Sequence, residues 1–221
     1  MTKTNFIYKK SIILGGSKGI GQSISRALKK TSKEIISLSS KDIDLSNSDS
    51  VKRFIKKHKS TDILLLNGGG PQNISFKDIT QDIWIKYFKQ LFSSYCEILR
   101  KVKIKKGGYI FYISSSIIKE PEENLIISSS LRIAFSSVLK SLSKSFAKKN
   151  VCVINIAPGP FKTKRVKELV KNISEYEKKL PLKKLGNPEE IGKFVKFIIE
   201  NKIKYISGSI VYFDGNINKS L

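Results

Sequence analysis

Ser11-Ile12-Ile13-Leu14 runs directly into Gly15-Gly16-Ser17-Lys18-Gly19-Ile20-Gly21, and this stretch decides the fold. An apolar run, a glycine-rich turn and an amphipathic segment, in that order, read as strand, turn and helix. Glycine permits positive φ and close backbone approach, while unpaired amides and the helix dipole at the start of the helix favour an anion. The stretch is fit to cradle a dinucleotide phosphate; the simpler alternative is a plain tight turn.

Outward from that turn, apolar and amphipathic stretches alternate. Strand-like runs fall at 11–14, 34–38, 63–67, 109–113, 151–157 and 210–213, and helix-like segments at 20–30, 48–57, 81–102, 128–148, 166–179 and 188–201. Strands that are apolar throughout, separated by helices, predict a parallel sheet covered on both faces: a single-domain α/β, Rossmann-type, doubly wound fold. Leu131, Phe135, Val138, Leu142 and Phe146 recur at helical spacing and predict a buried stripe. Asn187-Pro188-Glu189-Glu190 predicts a helix start with an acidic residue reaching back to the cap, and Gly107-Gly108 a break between helix and strand.

The chain has 221 residues, 40% of them hydrophobic, enough for one domain with a substantial core. Met1-Thr2-Lys3-Thr4-Asn5 lacks the apolar run of a secretory signal, and no stretch reads as the roughly 20 apolar residues that span a bilayer. Cys96 and Cys152 suggest neither a disulfide framework nor a metal site. The expectation is a cytoplasmic protein with no metal and no membrane partner. His58, among Lys56, Lys57 and Lys59, is expected to be solvated.

The formal charge of +24 invites a nucleic-acid reading through counterion release. The positive charge, however, is nearly all lysine and is dispersed along the chain, whereas base and bidentate phosphate recognition favour arginine. Solvated lysine faces are the expectation, and nucleic acid is not the expected partner.

Further motifs stand at fixed places after the glycine turn. Ser39-Ser40-Lys41 follows the second strand, then Asp44-Leu45; Asn67-Gly68-Gly69-Gly70 follows the third and Ile113-Ser114-Ser115 the fourth. Ala157-Pro158-Gly159 precedes Thr163, and Gly208-Ser209 leads to Asp214-Gly215. With Gly15-x-x-x-Gly19-x-Gly21, these segments resemble the short-chain dehydrogenase/reductase family over nearly the whole chain. Leu14 departs from the pattern, standing where a threonine usually precedes the first glycine.

The resemblance implies a cofactor site of Gly15, Ser17, Lys18, Gly19, Ile20 and Gly21 at the pyrophosphate, with Asp44, Leu45, Asn67, Gly68 and Gly69 at the adenosine. Pro158, Gly159 and Thr163 would lie beside the nicotinamide. An acid ending the second strand would bind ribose hydroxyls and repel a phosphate there. Ser39, Ser40 and Lys41 stand there instead, with Lys18 in the turn, so NADP is expected over NAD. The alternative is that both lysines belong to the general lysine excess.

The catalytic positions implied by the resemblance are altered. In the family a tyrosine protonates the carbonyl, a lysine lowers its pKa and binds ribose, a serine orients the carbonyl and an asparagine anchors a relay water. The serine is Ser115; the family spacing then places Ser128 at the tyrosine position, Arg132 at the lysine position and Leu91 at the asparagine position. Serine is a far weaker acid than tyrosine. Arg132 suits ribose binding and oxyanion stabilisation but is no ordinary general acid. Tyr95, Tyr109 and Tyr112 read as core or boundary aromatics, and Tyr176 as a lid residue. The pair resembles an atypical reductase-like branch that reads Ser-x-x-x-Arg here.

Residues 160–185 are expected to form a substrate lid. Lys162, Lys164, Arg165 and Lys167 suit an anionic small-molecule substrate; a solvated basic helix face is the alternative. Glu120-Pro121-Glu122-Glu123 reads as a surface loop near the same pocket. The family pattern implies a homodimer or homotetramer through the helices starting near Gln81 and Ser128, with Ser136, Ser137, Ser141 and Ser145 on the contacting surface. The expected function is an NADP-dependent carbonyl reductase with a modified proton relay. The rivals are a nucleotide-binding protein without turnover and a nucleic-acid-associated protein.

Overall fold

A computed structural model of the chain describes residues 6–220, so Met1–Asn5 of the expected amino-terminal reading lie outside the described residues. The strands are β1 (Tyr8–Leu14), β2 (Ser32–Leu38), β3 (Ser60–Leu66), β4 (Lys103–Ile113), β5 (Cys152–Pro158) and β6 (Ser209–Phe213). They form one parallel sheet in the order β2-β1-β3-β4-β5-β6. The order reverses between β1 and β3, and ligands of such sheets sit outside the strand carboxyl ends at that switch.

Period-two alternation divides the apolar strands between two cores. Ile12, Leu14, Leu64, Leu66, Ile110 and Tyr112 point to the face covered by α2 (Ser48–Lys57), α4 (Ser94–Lys101) and α5 (Ile126–Ala147). Ile13, Ile63, Leu65, Phe111, Ile154 and Ile156 point to the face covered by α1 (Gly19–Ala27) and α8 (Pro188–Glu200). A strand buried on both faces needs no polar alternation, so the runs read as continuous apolar sequence. The stripe expected on α5 is met in part: Phe135 is in the first core with the partly buried Val138, Leu142 and Phe146 against it, whereas Leu131 packs in a separate cluster with Leu91 and Ile127.

Several expected boundaries are corrected. The segment 81–102 is α3 (Gln81–Phe88), a π-helical turn at Lys89–Ser93, and α4. Gly107-Gly108 does not end that helix; it lies inside β4, which begins at Lys103, and Gly107 takes φ +78° where the pairing with β3 shifts register. The segment 166–179 is two helices, α6 (Lys164–Leu169) and α7 (Ile173–Lys179). Asn172 restarts the chain as an N-cap, its Oδ1 accepting from Glu175 N at 3.1 Å. At α8, Asn187 caps Glu189 N at 3.0 Å as expected of the helix start, and the Glu189 carboxylate faces Arg26 at 3.7 Å.

Two side-chain expectations also change. His58 is buried, its ring packed on Phe54 at 5.0 Å between centroids, because it stands one turn after Phe54 at the end of α2. Ser136 is buried rather than on a contact surface. The helical stretch Glu123–Ala147 is apolar and long enough by composition to cross a membrane, contrary to the sequence expectation. Its inward residues Phe135 and Leu139 lie in the sheet core, so this is a core helix.

Candidate active site

The glycine turn is braced from β3. Gly15 has φ +62°, and its carbonyl oxygen accepts from Asn67 Nδ2 at 3.2 Å. A Cβ on Gly21 would drive into that same carbonyl oxygen, so the first turn of α1 lies directly against the strand end. Gly16 N donates to Leu38 O at 2.8 Å, tying the turn to β2. Lys18 is the extended N-cap residue of α1, and the amides that follow open the helix without intrahelical partners. Ser17 and Lys18 are exposed, and Ile20 packs inward on the second core. Thr163 closes the other side: its Cγ2 lies 3.2 Å from where a Cβ on Gly19 would sit. A groove of about 460 Å³ opens here, bordered by Gly19, Thr163, Lys164 and Asn187. The starts of α1, α6 and α8 therefore meet at one groove, a backbone setting that fits a dinucleotide pyrophosphate.

The end of β2 holds a residue the sequence reading passed over. Ser39 donates from both N and Oγ to Asp42 Oδ2, at 2.8 and 2.6 Å, and Lys41 N donates to Ser39 Oγ at 3.2 Å. Hydrogen bonding to Ser39 holds the Asp42 carboxyl below its ordinary range, with nearby Lys57 adding to the effect. An acid thus folds back beside Ser39, Ser40 and Lys41; an aspartate three residues after a serine, in a tight turn, was the available signal.

On the adenosine side, Asp44 is exposed and accepts from Ser46 N at 2.9 Å, while Leu45 is buried with its carbonyl held by Ser94 Oγ at 2.6 Å. Gly68 lies against the Tyr95 hydroxyl, and Gly69 O accepts from Gln90 Nε2 at 2.6 Å. Pro158 ends β5, and Gly159 N donates to Phe213 O at 2.9 Å, packing the turn against Asp214.

The two residues expected at the tyrosine and lysine positions, Ser128 and Arg132, both stand on α5. Arg132 is buried and donates from Nε to Ser128 Oγ at 3.1 Å, from Nη1 to Ile113 O at 2.9 Å and from Nη2 to Gly68 O at 3.2 Å. One guanidinium therefore bridges the ends of β3 and β4 and fixes Ser128 as an acceptor, leaving its O–H free to donate. Ser115 follows β4, half-buried and extended, just beyond the carbonyl that holds Arg132. Its neighbour Ser114 is structural, donating to Asn155 Oδ1 at 2.5 Å. Asn155 Nδ2 donates to Ser136 Oγ at 2.8 Å, and Ser136 Oγ donates to Arg132 O at 2.7 Å. This buried network, invisible in sequence spacing, anchors the Arg132 turn to β5.

Leu91 is fully buried and brings no polar group to the asparagine position. The Tyr95 and Tyr112 hydroxyls are buried without a hydrogen-bond partner among the described residues. Burial pushes both phenols upward, and the Arg132 charge pulls both back only in part. Neither fits the role of a general acid at neutral pH. Tyr176 packs among Val166, Leu180 and Leu185 within the α6–α7 segment. From that segment Arg165 crosses to Pro71, where its Nη2 donates to the carbonyl oxygen.

Comparison with known proteins agrees with this geometry. Residues 17–218 match the family model described as Enoyl-(Acyl carrier protein) reductase. The chain is similar to the 3-oxoacyl-[acyl-carrier-protein] reductase FabG of Rickettsia prowazekii, 30% identical and spanning 95% of this chain and 96% of that protein. The Chlamydia pneumoniae FabG is 23% identical, spanning 95% and 96%. Among solved structures, L-sorbose reductase from Gluconobacter frateurii, complexed with NADPH and L-sorbose, superposes with TM-score 0.85 at 21% identity over all of both chains. YwfH, an NADPH dependent reductase involved in bacilysin biosynthesis, does so with TM-score 0.82 at 20% identity, covering 97% of this chain and all of that one.

Proposed function

Because the chain belongs to the short-chain dehydrogenase/reductase family, we propose that it is an NADP-dependent reductase of a carbonyl compound, similar to the 3-oxoacyl reductases, with Ser128 and Arg132 replacing the usual tyrosine and lysine. The observation that carries this reading is the placement of Arg132, which joins Gly68 O to Ile113 O while orienting Ser128. Random loss of a catalytic pair would not require a guanidinium matched to two strand ends and one hydroxyl.

The nicotinamide, when bound, supplies the hydride. The turn from Gly15 through Ser17, Lys18, Gly19 and Ile20 to Gly21 would hold the pyrophosphate, and Lys18, Ser39, Ser40 and Lys41 would hold the ribose phosphate. Asp44, Leu45, Asn67, Gly68 and Gly69 would hold the adenosine, and Pro158, Gly159 and Thr163 the nicotinamide. Ser115 orients the carbonyl. Ser128 donates a hydrogen bond to the developing alkoxide, and Arg132 stabilises its charge from a largely buried position. The proton that completes the alcohol passes through Ser128 and is replaced from solvent, because Arg132 keeps its own.

Residues 160–185 serve as the lid. Exposed Ile85 and Phe88 on α3 and Ile133 on α5 support assembly into a homodimer or homotetramer. Two free cysteines accord with a cytoplasmic setting. One observation favours a second reading, a nucleotide-binding protein without turnover: Arg132 already spends three donors on the protein itself. Titration with NADPH and NADH, followed by nicotinamide fluorescence, and then a panel of ketones separates the two. Saturable NADPH binding with loss of absorbance for a carbonyl substrate is expected; binding without turnover across the panel gives the second reading.

A further inference from the structure

We propose that Arg132 and Arg165 together form a clamp for a compact oxyanion, a carboxylate or phosphate carried by the substrate close to its reducible carbonyl. This deepens the reductase reading and rests on it for the identity of the carbonyl, but the anion site can be tested alone.

Three donors from two separate elements converge on one point beside Gly70. A Cβ there would stand 3.4 Å from Ser128 Oγ, 3.5 Å from Arg132 Nη2 and 3.5 Å from Arg165 Nη2. Those are ordinary contact distances, so the two guanidiniums and the hydroxyl gather around Gly70 and share one small region of the surface beside it. Ser128 and Arg132 come from α5, and Arg165 arrives from the opposite side on α6, tied to Pro71 O.

The charges are not balanced within the protein. No carboxylate lies within ion-pair distance of Arg132 among the described residues, and Arg132 is only 6% exposed. Among the described residues Arg165 has one acidic neighbour within ion-pair distance, Glu168, at 3.9 Å from Nη1, while Nη2 is the nitrogen beside Gly70. Burial first, and the Arg132 charge second, hold the Arg165 guanidinium below its ordinary pKa, so the two cations feel each other. Two like charges brought together in a partly buried place disfavour each other unless an anion enters between them.

The donors to receive that anion are present. A guanidinium carries five N–H groups in a planar fork, and the bonds to Ser128, Ile113, Gly68 and Pro71 leave N–H groups on both arginines unused. Fork geometry suits the paired oxygens of a carboxylate or phosphate. Tyr87, close enough to act on the charge of Arg165, belongs to an apolar cluster with Leu91, Ile127 and Leu131. That wall lowers the local dielectric and strengthens the attraction for a charged group. The carbonyl of the same substrate then lies within reach of Ser128, whose free O–H faces the same space.

The test measures binding by calorimetry, with turnover read separately. The probes are acetoacetate, its uncharged methyl ester and dihydroxyacetone phosphate, each with wild type, Arg165→Ala and Arg165→Lys, in the presence and absence of NADPH. The expected result is that wild type prefers the anionic probes and that Arg165→Ala weakens them roughly 10- to 100-fold. Arg165→Lys should fall between, because it keeps the charge but loses the fork. Ester and NADPH binding should stay within about twofold of wild type. The better of the two anions identifies carboxylate or phosphate as the natural group. Equal affinity for acid and ester in wild type, or an Arg165→Ala loss shared equally by the ester, overturns the clamp. Failure of NADPH to bind, with the anion preference intact, overturns the reductase reading and leaves the clamp standing.

Discussion

Arg132 Nε donates to Ser128 Oγ at 3.1 Å across one turn of α5, while the same guanidinium reaches the carbonyls that end β3 and β4. The contact makes Ser128 an acceptor on one side and leaves it a donor on the other. It also makes Arg132 a structural tie as well as a source of charge. Removing either partner therefore has separable effects.

Ser128→Ala removes the donor but leaves the arginine's two carbonyl contacts. Turnover should fall by roughly 100-fold with NADPH affinity little changed, and the buried Arg132 Nε left without its acceptor should cost about 1 kcal/mol of stability. Arg132→Ala strands two carbonyl oxygens as well, and should cost about 1–3 kcal/mol of stability along with turnover. Denaturant unfolding beside steady-state kinetics separates the two variants.

Asp42 is expected to bias cofactor choice through Ser39. Its carboxylate holds the Ser39 hydroxyl and sets a negative charge beside Ser39 and Lys41, the residues proposed for the ribose phosphate. Asp42→Asn should raise the NADPH-to-NADH affinity ratio only modestly, because the charge is exposed and screened by solvent. Lys41→Ala should lower the same ratio. Fluorescence titration of both cofactors against the three proteins checks this.

The network from Ser114 through Asn155 and Ser136 to the Arg132 carbonyl fixes the catalytic turn from behind. Asn155→Leu leaves the two serine hydroxyls without those partners and should destabilise by about 1–3 kcal/mol. Turnover should fall while NADPH affinity at the distant glycine turn stays close to wild type.

His58 gives a pH signature. Burial, then the charges of Lys10 and Lys57, hold its pKa below the ordinary 6.5, opposed only by Glu34. Below pH 6.5 the unfolded chain binds a proton that the folded one refuses, so stability is lost as pH falls from 6.5 through the folded value. Thermal melts from pH 7.5 to 5 should show this slope, and His58→Phe should flatten it. As the chain's single histidine, it gives an isolated imidazole signal in a proton NMR titration.

The physical reasons for what sequence could and could not reveal differ residue by residue. Whereas the edge strands β2 and β6 are only partly buried and show as shorter apolar runs, the inner strands were legible because burial on both faces leaves apolar runs, as at Ile63–Leu66 and Tyr109–Ile113. The start of β4 was not: Lys103, Lys105 and Lys106 look like loop, yet Lys103 and Ile104 pair with Ser60 and Thr61 ahead of the register shift. His58 was misread because its lysine neighbours in sequence point away while Phe54, one turn back, covers its ring. The glycine turn was legible because its demands are local, although Asn67 proved to brace it rather than only border the ligand. Arg165 appeared as one of several basic lid residues; only tertiary folding carries it to Pro71 and Gly70.

The role proposed for Ser128, oriented by Arg132, is to serve hydride reduction at a bound nicotinamide. A single-turnover experiment decides it: the protein–NADPH complex is mixed with a carbonyl substrate and nicotinamide absorbance is followed for wild type and Ser128→Ala. The expected result is a substrate-dependent loss of absorbance that slows by roughly 100-fold in the variant while NADPH remains bound with equal affinity. Absorbance that never falls in wild type, or that falls equally fast in Ser128→Ala, would contradict it.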